Sequence, residues 1–139
     1  MISSRSIDDL HPTVRKMALA HTAACVNAGI DLLIYCTLRD NAMQDVLYAQ
    51  GRTTKGKIVT NARAGESWHN YGMAYDCVPL RGGKPVWDTS DPIWAKVGTL
   101  GEAAGLEWAG RWRKFREFPH FQYTGGLTIS DAREGGRFA

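Results

Sequence analysis

Two short stretches, Ser67-Trp68-His69-Asn70-Tyr71-Gly72-Met73-Ala74-Tyr75-Asp76 and Glu117-Phe118-Pro119-His120, hold half of this chain's four histidines and set carboxylates beside them. Two imidazoles and one carboxylate suit a divalent cation such as zinc. Three protein ligands leave a fourth position for water, which separates a catalytic site from a closed structural one. The second carboxylate is then free to carry protons. Composition and spacing alone weigh this reading evenly against two ordinary satisfied histidines. His11 and His21 read as surface or core residues, His21 lying on the face of the first predicted helix.

The geometry constrains how such a site is built. His69 and Asp76 are an odd number of residues apart, so one straight strand would turn them to opposite sides. Gly72, between them, permits a reversal, after which Asp76 returns on the following strand. Pro119 likewise removes the helical solution for Glu117 and His120, so a loop or bulge must aim them together. Cys77 follows Asp76 and should point the other way, as a core thiol.

The elements that hold these residues read as follows. Pro12 to Ala28 has apolar residues at helical spacing, with Pro12 in the first turn and Gly29 as a stop. Asp31 to Thr37 reads as a buried strand. Asp40 caps a second helix with Met43, Val46 and Leu47 on one side, which leaves Arg39 at a strand-to-helix junction. Gly51 to Gly65 is a polar surface loop. Ala74 to Val78 is a strand, the Arg81-Gly82-Gly83-Lys84 turn brings Val86 and Trp87 back as a hairpin, and Asp91-Pro92 opens a helix that ends at Gly105. Phe118 to Gln122 is extended, and Thr128 caps a short terminal helix. The sum is an α+β domain, a small antiparallel sheet flanked by helices, with the metal site on the sheet and adjoining loops.

Length and composition fit one domain over residues 1–139, with no second domain expected. Three scattered cysteines form no C-x-x-C pair and suggest neither disulfides nor a thiolate zinc site. The polar N-terminus has no secretory signal, and no apolar run spans a bilayer. Net charge is +3, and the one basic cluster, Arg111, Arg113, Lys114 and Arg116 among Trp112, Phe115 and Phe118, reads as a rim around the site rather than a nucleic-acid face. Arg39 is the best-placed cation to stabilise charge on a tetrahedral intermediate.

The pattern Ser67-x-His69-x-x-Gly72-x-Ala74-x-Asp76, followed by Glu117-x-Pro119-His120-Phe121-Gln122, resembles the zinc peptidases of the D-alanyl-D-alanine carboxypeptidase and L-alanyl-D-glutamate endopeptidase family. Leu47 to Thr53, Trp108 with Arg111-Trp112, and Gly125 to Thr128 resemble its bacteriophage endolysin branch. The resemblance implies zinc on His69, Asp76 and His120, Glu117 as catalytic base, Arg39 polarising the scissile carbonyl, and Ser67 holding substrate. Around Arg39 the chain departs from the usual glycine- or tyrosine-containing lead-in, with Cys36-Thr37-Leu38 in its place. The expected substrate is the stem peptide of peptidoglycan, cut at the L-alanyl-D-glutamate bond by a monomer. Such a lysin is made in a host's cytoplasm and acts at the cell wall after a membrane-permeabilising partner releases it. Three rivals remain: a carboxypeptidase removing terminal D-alanine, a zinc-stabilised binding module, against which Glu117 speaks, and a nucleic-acid binder, whose affinity would fall steeply with salt.

Overall fold

The computed structural model describes residues 1–136; Arg137 to Ala139, part of the expected domain, lie outside the described residues. The α+β expectation holds. Helix α1 spans Pro12–Asn27, strand β1 Asp31–Cys36, α2 Asn41–Ala49, β2 Ala74–Arg81, β3 Lys84–Pro85, α3 Ile93–Ala103, β4 Glu107–Trp108, β5 His120–Gln122 and α4 Ile129–Arg133. The strands form one antiparallel sheet in the order β1-β2-β5-β4, with β3 hairpinned onto the end of β2.

Local chemistry sets the boundaries. Pro12 opens α1, the Asp40 carboxylate accepts from Met43 N–H to cap α2, and Thr128 with Asp131 forms a reciprocal capping box on α4. Two expectations need correction. Strand β1 is not buried but lies at the sheet edge with alternate residues exposed, because β2 covers only one of its sides. On α2 the buried residue is Gln44, and Val46 is exposed, because that helix packs on polar loop backbone and not on the apolar core.

Alternation along the strands divides the sheet into two functions. Tyr75 and Cys77 of β2, Trp108 of β4 and Phe121 of β5 point into the core with Val14, Ala18 and Cys25 of α1 and Val97 of α3. His21 is fully buried there, bonded to the Tyr75 hydroxyl (2.6 Å) and the Val97 carbonyl (2.8 Å), so it is the satisfied core histidine expected. Asp76, His120 and Gln122, one residue out of phase, point to the opposite face. The core therefore fixes the pitch of the strands that carry the polar residues.

Helix α3 approaches the sheet closely through Gly98 and Gly101. A Cβ at Gly98 would overlap the Trp108 indole, and one at Gly101 would press on Phe121. Gly98→Ala should therefore lower stability by about 1–3 kcal/mol through overpacking, read as a lower midpoint in denaturant unfolding. An unchanged midpoint would mean the helix can lift off the sheet freely.

Candidate metal centre

Antiparallel register places Asp76 of β2 directly opposite His120 of β5. Opposed residues of this kind have Cβ atoms roughly 4.5–5.5 Å apart, so two polar side chains on one face must meet. His69 arrives from the 3-10 turn Trp68–Tyr71, which ends at Gly72 in the left-handed region (φ 69°). A side chain there would crowd the backbone of Asp9 and His11, and the Gly72 carbonyl accepts from His11 N–H (3.0 Å). The reversal expected between His69 and Asp76 is this turn. A second turn, closed by His120 N–H donating to the Glu117 carbonyl (3.3 Å), sets Glu117 ahead of His120.

One carboxylate oxygen is the focus. Asp76 Oδ1 lies 3.3 Å from His69 Nε2 and 3.2 Å from His120 Nδ1. The far nitrogen of each ring meets a carbonyl: His69 Nδ1 donates to Thr37 O (2.8 Å), and His120 Nε2 donates to Gln122 Oε1 (2.8 Å). A carbonyl can only accept, so each far nitrogen carries a proton, and the near nitrogen is the one that can present a lone pair to a metal. Two imidazole nitrogens and one carboxylate oxygen thus converge, and a cation can take the place of any proton held between them. That is a donor set suited to a borderline cation such as zinc.

Titration reflects the same convergence. Burial alone would lower the pKa of His69, but Asp76 and Cys36 beside it outweigh burial and raise it from 6.5 to about 10. Burial would raise Asp76, yet the two imidazoles hold its carboxyl well below the usual carboxylate range. A metal must consequently displace a proton from His69 at neutral pH. Calorimetric titration of zinc at pH 7 in buffers of different ionisation enthalpy should show proton release, and its absence would contradict this site. In the metal-free protein the raised His69 stabilises the fold fully below pH 6.5, and that contribution fades as pH climbs through about 10.

Cys36 was not expected here. Strand β1 carries a bulge at Tyr35 that shifts the register so that Cys36 also pairs with Asp76. Donor atoms of Cys36, His69 and Asp76 lie within 4.8 Å of one another, so this triplet could also hold a metal. Its thiol, however, faces His69 Nδ1 (3.7 Å), the nitrogen already committed to Thr37 O, whereas His120 faces Asp76 Oδ1 itself. The second arrangement leaves both lone pairs aimed at one point.

A cleft of about 690 Å³ opens over this centre and is lined by Arg39, Ser67, Glu117, Ile58, Trp112 and Phe115 among others. Glu117 is exposed within it. Arg39 is pinned by the N-terminal segment, since Asp40 N–H bonds Ile2 O and Ser4 N–H bonds Leu38 O, and its guanidinium donates to Gln44 Oε1 (2.9 Å) and to Cys36 Sγ (3.3 Å). The unusual lead-in thus supplies an acceptor for the arginine. Arg39 Nε is buried with no partner among the described residues. Ser67 caps the Trp68–Tyr71 turn through His69 N–H, a local duty in addition to its place in the cleft wall. The basic cluster is divided: Arg111 pairs with Glu102 (3.0 Å), while Arg116 lines the cleft.

Residues 60–123 match the D-alanyl-D-alanine carboxypeptidase family. Over 122 residues the chain is 43% identical to the peptidoglycan L-alanyl-D-glutamate endopeptidase CwlK of Bacillus subtilis (strain 168), covering 82% of this chain and 73% of that protein. Among solved structures it is similar to the Serratia marcescens L-Ala D-Glu endopeptidase ChiX (TM-score 0.65, 20% identity, 95% of this chain and 92% of that one) and to the LD-carboxypeptidase LdcB (TM-score 0.68, 19% identity, 94% and 71%). The fold is thus one found among peptidases. The chain belongs to the D-alanyl-D-alanine carboxypeptidase family.

Proposed function

We propose that this chain is a zinc-dependent peptidoglycan peptidase of the phage-endolysin type, hydrolysing the L-alanyl-D-glutamate bond of the stem peptide as a monomer. His69, Asp76 and His120 would hold the zinc, Glu117 would act as base, Arg39 would stabilise the oxyanion and Ser67 would hold substrate. The observation that carries the reading is the convergence of two imidazole nitrogens on Asp76 Oδ1 in a cleft that also contains Glu117 and Arg39. The choice of bond is supported by the 43% identity to an endopeptidase of that specificity.

A zinc ion held by His69, Asp76 and His120 would supply an acidified water near neutral pH and a Lewis acid for the carbonyl oxygen. Glu117 then takes the proton from the attacking water and delivers it to the leaving amine. Arg39, its guanidinium held by Gln44 and Cys36 in the cleft wall, brings a fixed positive charge to the oxygen on which negative charge develops. Ile58, Trp112 and Phe115 give the cleft apolar walls that hold the peptide and thin out water around these groups.

A second reading, removal of terminal D-alanine, is favoured by the description of the matched family. Mass spectrometry of digested muropeptides separates the two. Glycan stems ending in a free L-alanine carboxylate are expected; loss of a single alanine from the peptide's far end would establish the carboxypeptidase instead. No helix among the described residues is long and apolar enough to cross a membrane.

A further inference from the structure

Metal ligands depend on what holds their far side, and here the His120 side runs further than its first partner. Gln122 lies two residues along β5 on the same face as His120, is 5% exposed, and offers Oε1 to His120 Nε2 at 2.8 Å. An amide has two ends of similar shape and opposite hydrogen-bonding character. Turned over, Gln122 would present its NH₂ to His120 Nε2. The ring proton would then move to Nδ1, the nitrogen that faces Asp76, and the lone pair would be lost from the metal position.

The side chain that prevents this turn is Glu107 on the neighbouring strand β4, which pairs with Gln122 across the sheet. Its Oε2 accepts from Gln122 Nε2 (3.4 Å) and from Trp112 Nε1 (2.7 Å). A carboxylate only accepts, so it tolerates the amide NH₂ and repels the amide oxygen. Trp112 in turn lies against the His120 ring, with centroids 5.8 Å apart. The geometry points to Glu107 as a positioning residue for the metal centre: by fixing the sense of the Gln122 amide, it selects the His120 tautomer with Nδ1 bare. Glu107 itself touches neither the metal position nor Asp76.

This inference rests on the reading of His120 as a zinc ligand, and the test separates the two. Zinc affinity is measured by competition with a chromophoric chelator on wild type, Glu107→Ala, Trp112→Phe and the double variant Glu107→Ala/Gln122→Glu. Glu107 is exposed on a short edge strand, so its truncation leaves the core intact. Glu107→Ala should weaken zinc binding roughly 10-fold or more, the range seen when outer-shell partners of a ligand are removed. Trp112→Phe, which takes away the indole N–H but keeps an aromatic ring at that position, should bind zinc as wild type does. The double variant should recover affinity, because a carboxylate at position 122 accepts from His120 in either orientation. Wild-type affinity in Glu107→Ala, or no recovery in the double variant, overturns the role given to Glu107. Tight zinc binding by His120→Ala would instead remove the ligand assignment on which it stands.

Discussion

Glu117→Gln should yield a folded protein that still binds about one zinc per chain while turning over peptidoglycan about a hundredfold or more slowly. The expectation follows from position. Glu117 lines the cleft but makes no contact with the Asp76 oxygen on which the two imidazoles converge. Its task is proton transfer, which an amide of the same shape cannot perform. Zinc content and lysis rate must be measured on the same purified sample, because loss of a base and loss of a ligand give equally inactive enzymes with different metal stoichiometry. A metal-free Glu117→Gln would make Glu117 a ligand, and a fully active one would end the proposed mechanism.

Replacing His120 by alanine should have an effect as large through the opposite route. With one of two convergent lone pairs gone, Asp76 and His69 alone hold a divalent ion poorly, so the variant should emerge from dialysis without zinc and without activity. Chelation of the wild type should produce the same state, with zinc restoring lysis. Cys36→Ser is the informative companion, since Cys36, His69 and Asp76 are the competing triplet. That variant should keep its zinc. The reverse pattern, zinc retained by His120→Ala and lost from Cys36→Ser, would transfer the third ligand position to the thiol.

Helix boundaries were legible because capping is a local matter: Pro12, Asp40 and Thr128 each announce a helix start within a few residues. The candidate ligands were legible for a related reason, since each histidine stands close in sequence to a carboxylate and a chain-reversing residue. What stayed hidden depends on register between distant segments. Cys36 reaches the Asp76 row only because of the bulge at Tyr35, and nothing in Asp31 to Thr37 marks that bulge. Strand β4 is two residues long and exists by pairing with β5. Gln44 broke the apolar pattern expected of α2, and a buried glutamine becomes intelligible only once Arg39 and the 58–62 loop are seen on either side of it. Gln122 could have been found, because strand alternation places it on the face of His120.

Gln44 has a consequence for how the cleft can change. Its oxygen steadies Arg39, while its NH₂ holds the loop chiefly through the backbone carbonyl of Ala62 (2.8 Å), with only a long contact to the Thr60 hydroxyl (3.5 Å). A main-chain acceptor is offered by every amino acid. The stretch of cleft wall at Thr60 to Ala62 is therefore anchored largely without regard to which side chains it displays, and mutational drift or deliberate loop grafting can alter the surface presented to substrate while the arginine keeps its place. Selectivity and reactivity are thereby separately evolvable in this chain, joined by a single amide.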